Sequence, residues 1–553
     1  MPGRIDHVFV LVLENRSFDH MLGFSGITGT DAVTGAATSV HGLTRAGSSL
    51  VQLARSWREG SVSGIVVRQG GTWPPPPPVS VRALLAAGMS NTFGGQSYPA
   101  SNPADYAMPV DPGHEFPDVL TQLGGPGAVY PSGGAYPPVR NSGFVSSYAA
   151  NGGGAAPGEI MKCFRGGQLP VLNQLAREFA VCDSWHAAMP GPTWPNRFFV
   201  HAASSGGLDH SPSATEMAAW ETVDGFSFKN GTIFDRLNGK NLPWRIYAGD
   251  DLPITSALKG IQLTDVHPYH EFAADVGQPG YPASYTFIEP SYGHILTDYK
   301  CGTSQHPLDD VTRGESLIKC TYEAIRNSPA WNDSLLVITW DEHGGFFDHV
   351  PPPGAVAPGD TQPGDEHNQY GFTFEQLGPR VPAVVISPLI PRNLIDHRLY
   401  DHTSILATLE ALFGLAPLTR RDAAAGNVTP LLSLPAPRGD APTALAAPAD
   451  SQIGRCEPFS CSAAPTIEQP PPARPLDSAD AGNLPGFLHA ALRWDTAVSP
   501  PEQRPAAMAR FRAVQTRADA WSYLNQVRQS ISSARASGAQ DADLPAARAD
   551  GSS

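Results

Sequence analysis

The sequence lacks any apolar run of the roughly 18 residues that a membrane-spanning helix needs. The short apolar stretch VFVLVL, which begins at Val8, leads into ENRSFDH and not into the small residues of a cleavage site, so no signal peptide is visible. We therefore expect a soluble protein with at most peripheral membrane contact. It is cytoplasmic, or it is exported by a signal or route that is not visible here.

The sequence also lacks an excess of basic residues. It contains 37 Lys and Arg against 52 Asp and Glu, which gives a formal net charge of −15. A nucleic-acid-binding surface needs a basic patch, so we expect no nucleic-acid partner. The oligomeric state is left open.

Cysteine is scarce, and the six cysteines show no zinc-like spacing. They are read either as buried or free thiols or, if the protein is exported, as the source of two disulfides. In the second case the pairs expected are Cys301–Cys320 and Cys456–Cys461.

Glycine and proline are abundant, with 55 residues of each, which indicates many ordered loops. Between the loops, apolar runs at 7–13, 335–340 and 381–390 predict buried strands, and 170–181 predicts a helix. Strands that alternate with helices favour an α/β fold with a mostly parallel central sheet flanked by helices, with loop-rich insertions and a Pro-rich C-terminal extension.

Composition divides the chain into three parts. Residues 1–425 form the main domain, and residues 24–110 within it read as a loop-rich insertion. Residues 426–484 are rich in Pro and Ala and read as a linker or a wrap. Residues 485–553 predict one or two helices up to about residue 530 and then a disordered tail.

Two predicted strands end in pairs of possible metal ligands. Glu14 and Asn15 follow the first strand, and Asp341 and Glu342 follow the strand at 335–340. If the two strands are neighbours, four oxygen-bearing side chains converge at one edge of the sheet. Such oxygens suit Ca²⁺, Mg²⁺ or Mn²⁺, and zinc is less typical but not excluded. Gly344 and Gly345 then imply a sharp backbone turn or a close approach to a ligand.

Thr193 is the candidate nucleophile. It lies in a loop rich in Pro and Gly just before a predicted helix, where free backbone N–H groups suit a phosphate. A threonine hydroxyl needs a metal or a base to become a good nucleophile. Asn196 and Arg197, in the first turn, are candidates for additional phosphate contacts.

Histidines supply candidate acids and bases, because their pKa lies near neutrality. His114, in DPGHE, and His306, in SQHPLDD, are the stronger candidates. His20 and His343 flank the acidic motifs. We expect them either to line the site or to hold the ligand residues in place. Aromatic residues of the insertion and of the loop 350–378 are available for an apolar entrance, namely Phe24, Trp57, Trp73, Phe93, Phe372 and Phe374.

Three long motifs carry a resemblance to a known family. ENRSFDHMLGF, GPTWPNRFF and TWDEHGGFFDHVPPP occur in this order and closely resemble the phosphoesterase family. That family holds bacterial phospholipases C, plant non-specific phospholipases C and acid phosphatase A-type enzymes. The resemblance covers roughly residues 4–422 and implies an alkaline phosphatase-like fold.

The resemblance also implies residue roles. It matches Glu14, Asn15, Asp341 and Glu342 to the family's metal ligands, Thr193 to its nucleophile, and His114 and His306 to its active-site histidines. We therefore expect a phosphoric ester hydrolase that uses one divalent ion, Ca, Mg, Mn or Zn. The favoured activity is that of a phospholipase C acting on glycerophospholipids through a phospho-threonine intermediate. An acid phosphatase-type phosphomonoesterase and an inactive binding protein on the same scaffold are the alternatives.

Overall fold

The computed structural model describes residues 4–43, 89–212, 225–296, 299–454, 456–457, 459–463 and 483–536. Several predictions lie outside these residues. They include the entrance role of Trp57 and Trp73, much of the insertion at 24–110 and most of the predicted tail.

The strands of the described residues are short apart from two. They are β1 His7–Leu13, β2 Thr28–Asp31, β3 Ala37–Ser39, β4 Ser90–Phe93, β5 Gln96–Pro99, β6 Ala180–Cys182, β7 Trp185–His186, β8 Trp244–Ala248, β9 Val266–Pro268, β10 Tyr285–Glu289, β11 Ser334–Trp340, β12 Ala383–Ile386, β13 Leu394–Asp396 and β14 Tyr400–Asp401.

Within the described residues, ten strands form one sheet in the order β3-β2-β13-β6-β12-β11-β1-β10-β8-β9. Strand β1 is parallel to both of its neighbours, β10 and β11. Strand β12 runs antiparallel to β11 and to β6, and β3 runs antiparallel to β2 at the edge. The other pairs are parallel, which confirms the prediction of a mostly parallel sheet.

Helices cover the sheet, as predicted. The α-helices are α1 Phe18–Leu22, α2 Phe116–Gly124, α3 Phe144–Ala150, α4 Pro170–Glu178, α5 Thr193–Ala202, α6 Ile233–Asn238, α7 Phe272–Val276, α8 Val311–Arg326, α9 Thr403–Phe413, α10 Arg420–Ala424, α11 Leu484–Val498, α12 Arg504–Arg512 and α13 Arg517–Ala536. Short 3₁₀ turns lie at Gly153–Ala155, Pro157–Met161, Ile254–Ala257, Leu263–Asp265, Tyr269–Glu271, Trp331–Asp333, Thr429–Leu431 and Pro501–Gln503. None of the helices described is both long and apolar enough to cross a bilayer.

Strand β1 lies in the interior of the sheet. Its residues from Val8 to Leu13 are buried, because helices cover both faces and β10 and β11 flank both edges. A strand buried on both faces reads as a continuous apolar run, which is the pattern of VFVLVL. The prediction of this strand and of the strand at 335–340 is confirmed.

The predicted helix at 170–181 is partly wrong. The helix ends at Glu178, and Ala180–Cys182 form strand β6. β6 is hydrogen-bonded to β12 on one side and to β13 on the other. The two ladders and the burial of all three residues outweigh the local helical pattern, which alone cannot distinguish a buried strand from a buried helix end.

The chain after residue 426 returns over the outside of α8. The Pro442 carbonyl accepts a hydrogen bond from the Tyr322 hydroxyl at 2.6 Å, and the Ala441 carbonyl accepts one from Arg326 at 2.9 Å. Lys319 donates to the Leu445 carbonyl at 2.8 Å. Beyond this segment, α11, α12 and α13 replace the one or two helices that were expected.

The predicted disulfide pairs are wrong. The bonds join Cys301 to Cys456 and Cys320 to Cys461. The members of each predicted pair are near in sequence, whereas the bonded cysteines are 155 and 141 positions apart. Because the returning segment passes along α8 and the loop that precedes it, each cysteine of that segment meets a distant cysteine. Cys163 and Cys182 are buried free thiols.

Candidate active site

The ends of β1 and β11 bring the four predicted metal ligands together. The two strands are parallel, and Leu13 is in register with Trp340. Glu14 and Asp341 therefore leave the sheet side by side, each followed by a second ligand candidate. The Asn15 backbone N–H donates to Asp341 Oδ1 at 3.0 Å, and all four side chains are fully buried.

The backbone of this site is tightly constrained. Asn15 has a φ of 60°, in the left-handed region that non-glycine residues seldom adopt. Gly344 has a φ of 64°, and a Cβ placed on it would lie 2.2 Å from the Asn15 carbonyl oxygen. The Arg16 N–H donates to the Glu342 carbonyl at 2.9 Å. The close approach expected at Gly344 is therefore an approach to the backbone of the opposite ligand pair.

Two oxygens of the site are available to a divalent cation. Glu14 Oε2 and Asn15 Oδ1 are buried and have no hydrogen-bond partner among the residues that the structure describes. Burial and the negative charge of Asp341 raise the pKa of Glu14 to about 8. Buried oxygens without donors, in a cluster whose charges repel one another, are the arrangement that a hard cation stabilises.

Thr193 opens helix α5 and lies beside this cluster. Its Oγ1 is 3.5 Å from Asn15 Nδ2, and the residue is fully buried. The helix begins at Thr193 itself, with Pro192 before it, so the nucleophile candidate sits at the N-terminus as expected. The positive end of the helix dipole faces the same space.

Asn196 does not serve the predicted phosphate contact. Its Nδ2 donates to the carbonyls of Gly191 and Pro192, at 3.0 Å each, and its Oδ1 accepts from the Met189 N–H at 3.1 Å. The Asn196 amide nitrogen and oxygen both bond to the loop before Thr193. Asn196 therefore shapes the loop that presents the threonine hydroxyl.

Arg197 is used by the acidic cluster. Its Nε donates to Asp341 Oδ2 at 2.9 Å, and its Nη2 donates to the Leu13 carbonyl at 3.0 Å. The guanidinium carbon lies 5.3 Å from the centre of the Tyr292 ring. Arg197 therefore fixes Asp341 and ties α5 to the end of β1. Its Nη1 is buried and has no hydrogen-bond partner among the described residues, so the expected phosphate contact stays a prediction.

His114 has one ring nitrogen bound to the backbone and one that is not. Its Nδ1 lies 2.8 Å from the Pro112 carbonyl oxygen, which assigns the Nδ1 proton and leaves Nε2 to exchange a proton. Burial lowers the pKa of His114, but the charges of Glu342 and Asp111 outweigh burial and raise it to about 10.

His306 is held on all sides. Its ring stacks on Tyr299 with centroids 4.2 Å apart, and its Nε2 is 3.5 Å from Asp111 Oδ2. Its Nδ1 accepts from the Leu308 N–H at 3.4 Å. Burial, together with the positive charges of His114 and Arg16, holds the pKa of His306 well below its usual range.

The two flanking histidines make different contacts. His343 Nε2 lies 2.7 Å from Gln122 Oε1, and its Nδ1 is 3.3 Å from Glu342 Oε2. The ring of His20 stacks on Phe346, with centroids 3.7 Å apart. His343 therefore contacts a ligand candidate, whereas His20 packs against a phenylalanine ring.

Arg16 links the ENR motif to the loop that carries His306. Its Nε donates to the Gln305 carbonyl at 2.8 Å, and its Nη2 donates to the His306 carbonyl at 3.2 Å. Arg16 is buried in full. It therefore sets the position of His306 relative to Glu14 and Asn15.

A second group that could hold a metal contains Asp19, Asp348 and His349. Arg380 occupies this group, since its Nε donates to Asp348 Oδ1 at 2.9 Å and its Nη2 donates to Asp19 Oδ1 at 3.1 Å. The guanidinium supplies the positive charge there, so the group acts as a buried ion-pair network.

Two of the six aromatic residues expected at the entrance lie in the interior. Phe372 and Phe374 are buried in a cluster with Phe116 and Phe199, so their assignment to an apolar rim is wrong. Phe199 belongs to α5, and the cluster therefore supports the helix that begins with Thr193. Phe93 is exposed at the end of β4.

Two residues near the site were missed in the sequence. Asp111 lies beside His306, and its place three residues before His114 in DPGHE was a usable signal. Asn483, at the start of α11, donates from Nδ2 to Glu14 Oε1 at 3.1 Å. No local pattern around residue 483 indicates a contact with residue 14.

Comparison with known proteins gives one family and several relatives. Residues 5–416 of this chain match the Phosphoesterase family. Non-specific phospholipase C6 of Arabidopsis thaliana is 34% identical over 460 residues, which cover 80% of this chain and 75% of that protein. Non-specific phospholipase C3 of the same plant is 35% identical over 348 residues, which cover 61% and 64% of the two chains.

A solved structure gives a more distant likeness. A protein in the alkaline phosphatase superfamily from Vibrio parahaemolyticus is 15% identical and has a TM-score of 0.28. The alignment covers 49% of this chain and 64% of that chain. A likeness at this level carries no weight for the site.

The contact between Gly344 and Asn15 can be tested by Gly344→Ala. The left-handed φ costs alanine roughly 1–2 kcal/mol, and the overlap with the Asn15 carbonyl adds about 1–3 kcal/mol. The matched control is Gly35→Ala, because Gly35 has a φ of 70° and open space around its Cβ position. Denaturant unfolding should show the larger loss for Gly344→Ala. Equal losses in the two variants would contradict the close approach.

The charge state of His114 can be tested in protein freed of metal by chelation. Its folded pKa of about 10 lies above the usual 6.5. Its contribution to stability is therefore complete below pH 6.5 and is lost as the pH rises towards 10. The slope is at most about 1.4 kcal/mol per pH unit. Replacement by glutamine should remove this slope from urea unfolding curves, whereas His306→Gln should keep it. A wild-type slope in His114→Gln would refute the assignment.

Proposed function

Because the chain belongs to the Phosphoesterase family, we propose that it acts as a phospholipase C. It is a phosphoric ester hydrolase, and the proposed substrates are glycerophospholipids such as phosphatidylcholine, which it cleaves to diacylglycerol and a phosphorylated headgroup. One observation carries the proposal. Thr193 Oγ1 lies at the N-terminus of α5, 3.5 Å from Nδ2 of Asn15, one of the four residues of the Glu14, Asn15, Asp341 and Glu342 cluster.

The same four residues would hold one divalent cation. When bound, the ion would lower the pKa of the Thr193 hydroxyl, so that its proton passes to water, and would offset negative charge on the phosphate. Arg197 and His343 keep two of the ligands, Asp341 and Glu342, in place through the contacts described.

In the first step, Thr193 Oγ forms a bond to phosphorus and the bond from phosphorus to the diacylglycerol oxygen breaks. An alkoxide is a poor leaving group, so a proton must reach that oxygen as the bond breaks. We assign this proton to His114 Nε2, because Nδ1 is committed to Pro112. The first-turn N–H groups of α5 stabilise charge on the phosphate oxygens.

In the second step, water attacks the phosphorus of the phospho-threonine. The water oxygen bonds to phosphorus, the Thr193 Oγ–P bond breaks, and His114 takes the proton that water releases. Thr193 regains its proton from solvent. His306 holds its loop against Asp111 and Tyr299 and is the second candidate for this proton transfer.

The proposal is tested on diester and monoester substrates side by side. Thr193→Ala should lower turnover of phosphatidylcholine and p-nitrophenylphosphorylcholine by about a thousandfold or more. Thr193→Ser keeps a hydroxyl and should retain measurable turnover. Circular dichroism of both variants checks the fold.

Three outcomes would change the assignment. Full activity of Thr193→Ala would refute the nucleophile. Wild-type protein that cleaves p-nitrophenyl phosphate but neither diester would favour the acid phosphatase-type activity. Wild-type protein that hydrolyses none of these substrates after loading with Ca²⁺, Mg²⁺, Mn²⁺ or Zn²⁺ would favour an inactive binding protein.

A further inference from the structure

Helix α11, the first helix of the C-terminal segment, packs against the residue that follows the candidate nucleophile. The ring of Phe487 lies 6.0 Å from Trp194, the residue after Thr193, and 5.0 Å from Tyr292. A Cβ placed on Gly486 would lie 2.0 Å from the Trp194 ring. Helix α11 is outside the residues matched by the family, 5–416, yet it is buried along most of its length. Its first turn therefore belongs to the architecture of the site.

Asn483 precedes this helix and contacts a metal-ligand candidate. Its Nδ2 donates to Glu14 Oε1 at 3.1 Å, and both side chains are buried. The bond occupies one carboxylate oxygen and leaves the other, Oε2, without a partner among the described residues. The Ser304 side chain also hydrogen-bonds the Glu14 carboxylate. A glutamate side chain has three rotatable bonds, so a fixed donor on Oε1 helps to determine where Oε2 points.

The backbone of the same residue makes a second contact. The Asn483 N–H donates to the Tyr299 hydroxyl, and the Tyr299 ring stacks on His306 with an interplanar angle of 15°. A single residue of the C-terminal segment thus touches Glu14 directly and reaches His306 through one ring. The side chain makes no hydrogen bond that caps α11, so helix capping does not account for its direction.

We propose that Asn483 is a positioning residue for the divalent-cation site, which orients Glu14 so that its free oxygen faces the ion. This inference rests on the proposed function, because it takes Glu14 as a ligand. It extends the working site beyond the Phosphoesterase match and makes the C-terminal segment part of it. Outer partners of metal ligands commonly change metal affinity by about 10–100-fold.

The test measures binding of Ca²⁺ and of Mn²⁺ to the full-length, metal-free protein without substrate. Asn483→Ala removes the donor. Asn483→Ser also removes it, since the serine side chain is too short to reach Glu14, but serine suits the start of a helix. Both should bind the ion that wild type prefers about 10–100-fold more weakly. Excess ion should restore most of their turnover, which a defect of packing alone would not allow.

The matched control is Asn525→Ala. Asn525 lies in the same C-terminal segment, on α13, and its side chain accepts from Arg528 at 3.3 Å. It should bind the ion as wild type does. Affinities of Asn483→Ala and Asn483→Ser within twofold of wild type would overturn the inference.

The two proposals can fail separately. If wild type binds the ion and hydrolyses no phosphoester, the proposed function fails, and the Asn483 variants still decide the positioning role. If wild type hydrolyses diesters and the variants bind the ion normally, only the positioning role fails. Wild-type protein that binds neither ion overturns the Asn483 inference.

Discussion

The rest of the structure depends on one constraint, which is the electrostatic repulsion among Glu14, Asp341 and Glu342. These carboxylates are buried together at the ends of two adjacent parallel strands. Burial and a neighbouring charge raise the pKa of Glu14 to about 8, and burial helps to raise that of Asp341 to about 6. Such a cluster persists only if the surrounding residues hold its side chains in one geometry. A bound divalent cation would relieve the repulsion.

Residues that take no part in the reaction hold the cluster in place. Arg197 joins Asp341 to the helix that begins with Thr193, and His343 joins Glu342 to Gln122. Asn196 shapes the loop before the threonine. Because each of these groups is itself buried and hydrogen-bonded, the threonine hydroxyl and the acidic cluster keep one relative geometry. Preorganisation of this kind is what phosphoryl transfer requires of a protein.

The sequence predicted the parts of the site that local patterns determine. Glu14 and Asp341 each follow an apolar run, and the sheet makes those runs neighbours. The sequence did not predict contacts between residues that are far apart in the chain. Cys301 pairs with Cys456, Phe372 joins an interior cluster, and Ala180–Cys182 become a strand because two other strands flank them. Asn483 was missed for the same reason, since its partner is 469 positions away.

The central claim is that Thr193 forms a covalent intermediate beside the acidic cluster. Its most direct test is peptide mass mapping of enzyme that is acid-quenched at a series of times during turnover of phosphatidylcholine. We predict that the peptide containing Thr193 carries a phosphocholine group, because the diacylglycerol oxygen is the leaving group. Phosphocholine on another side chain, or continued turnover with the Thr193 peptide unmodified at every time, would contradict the account.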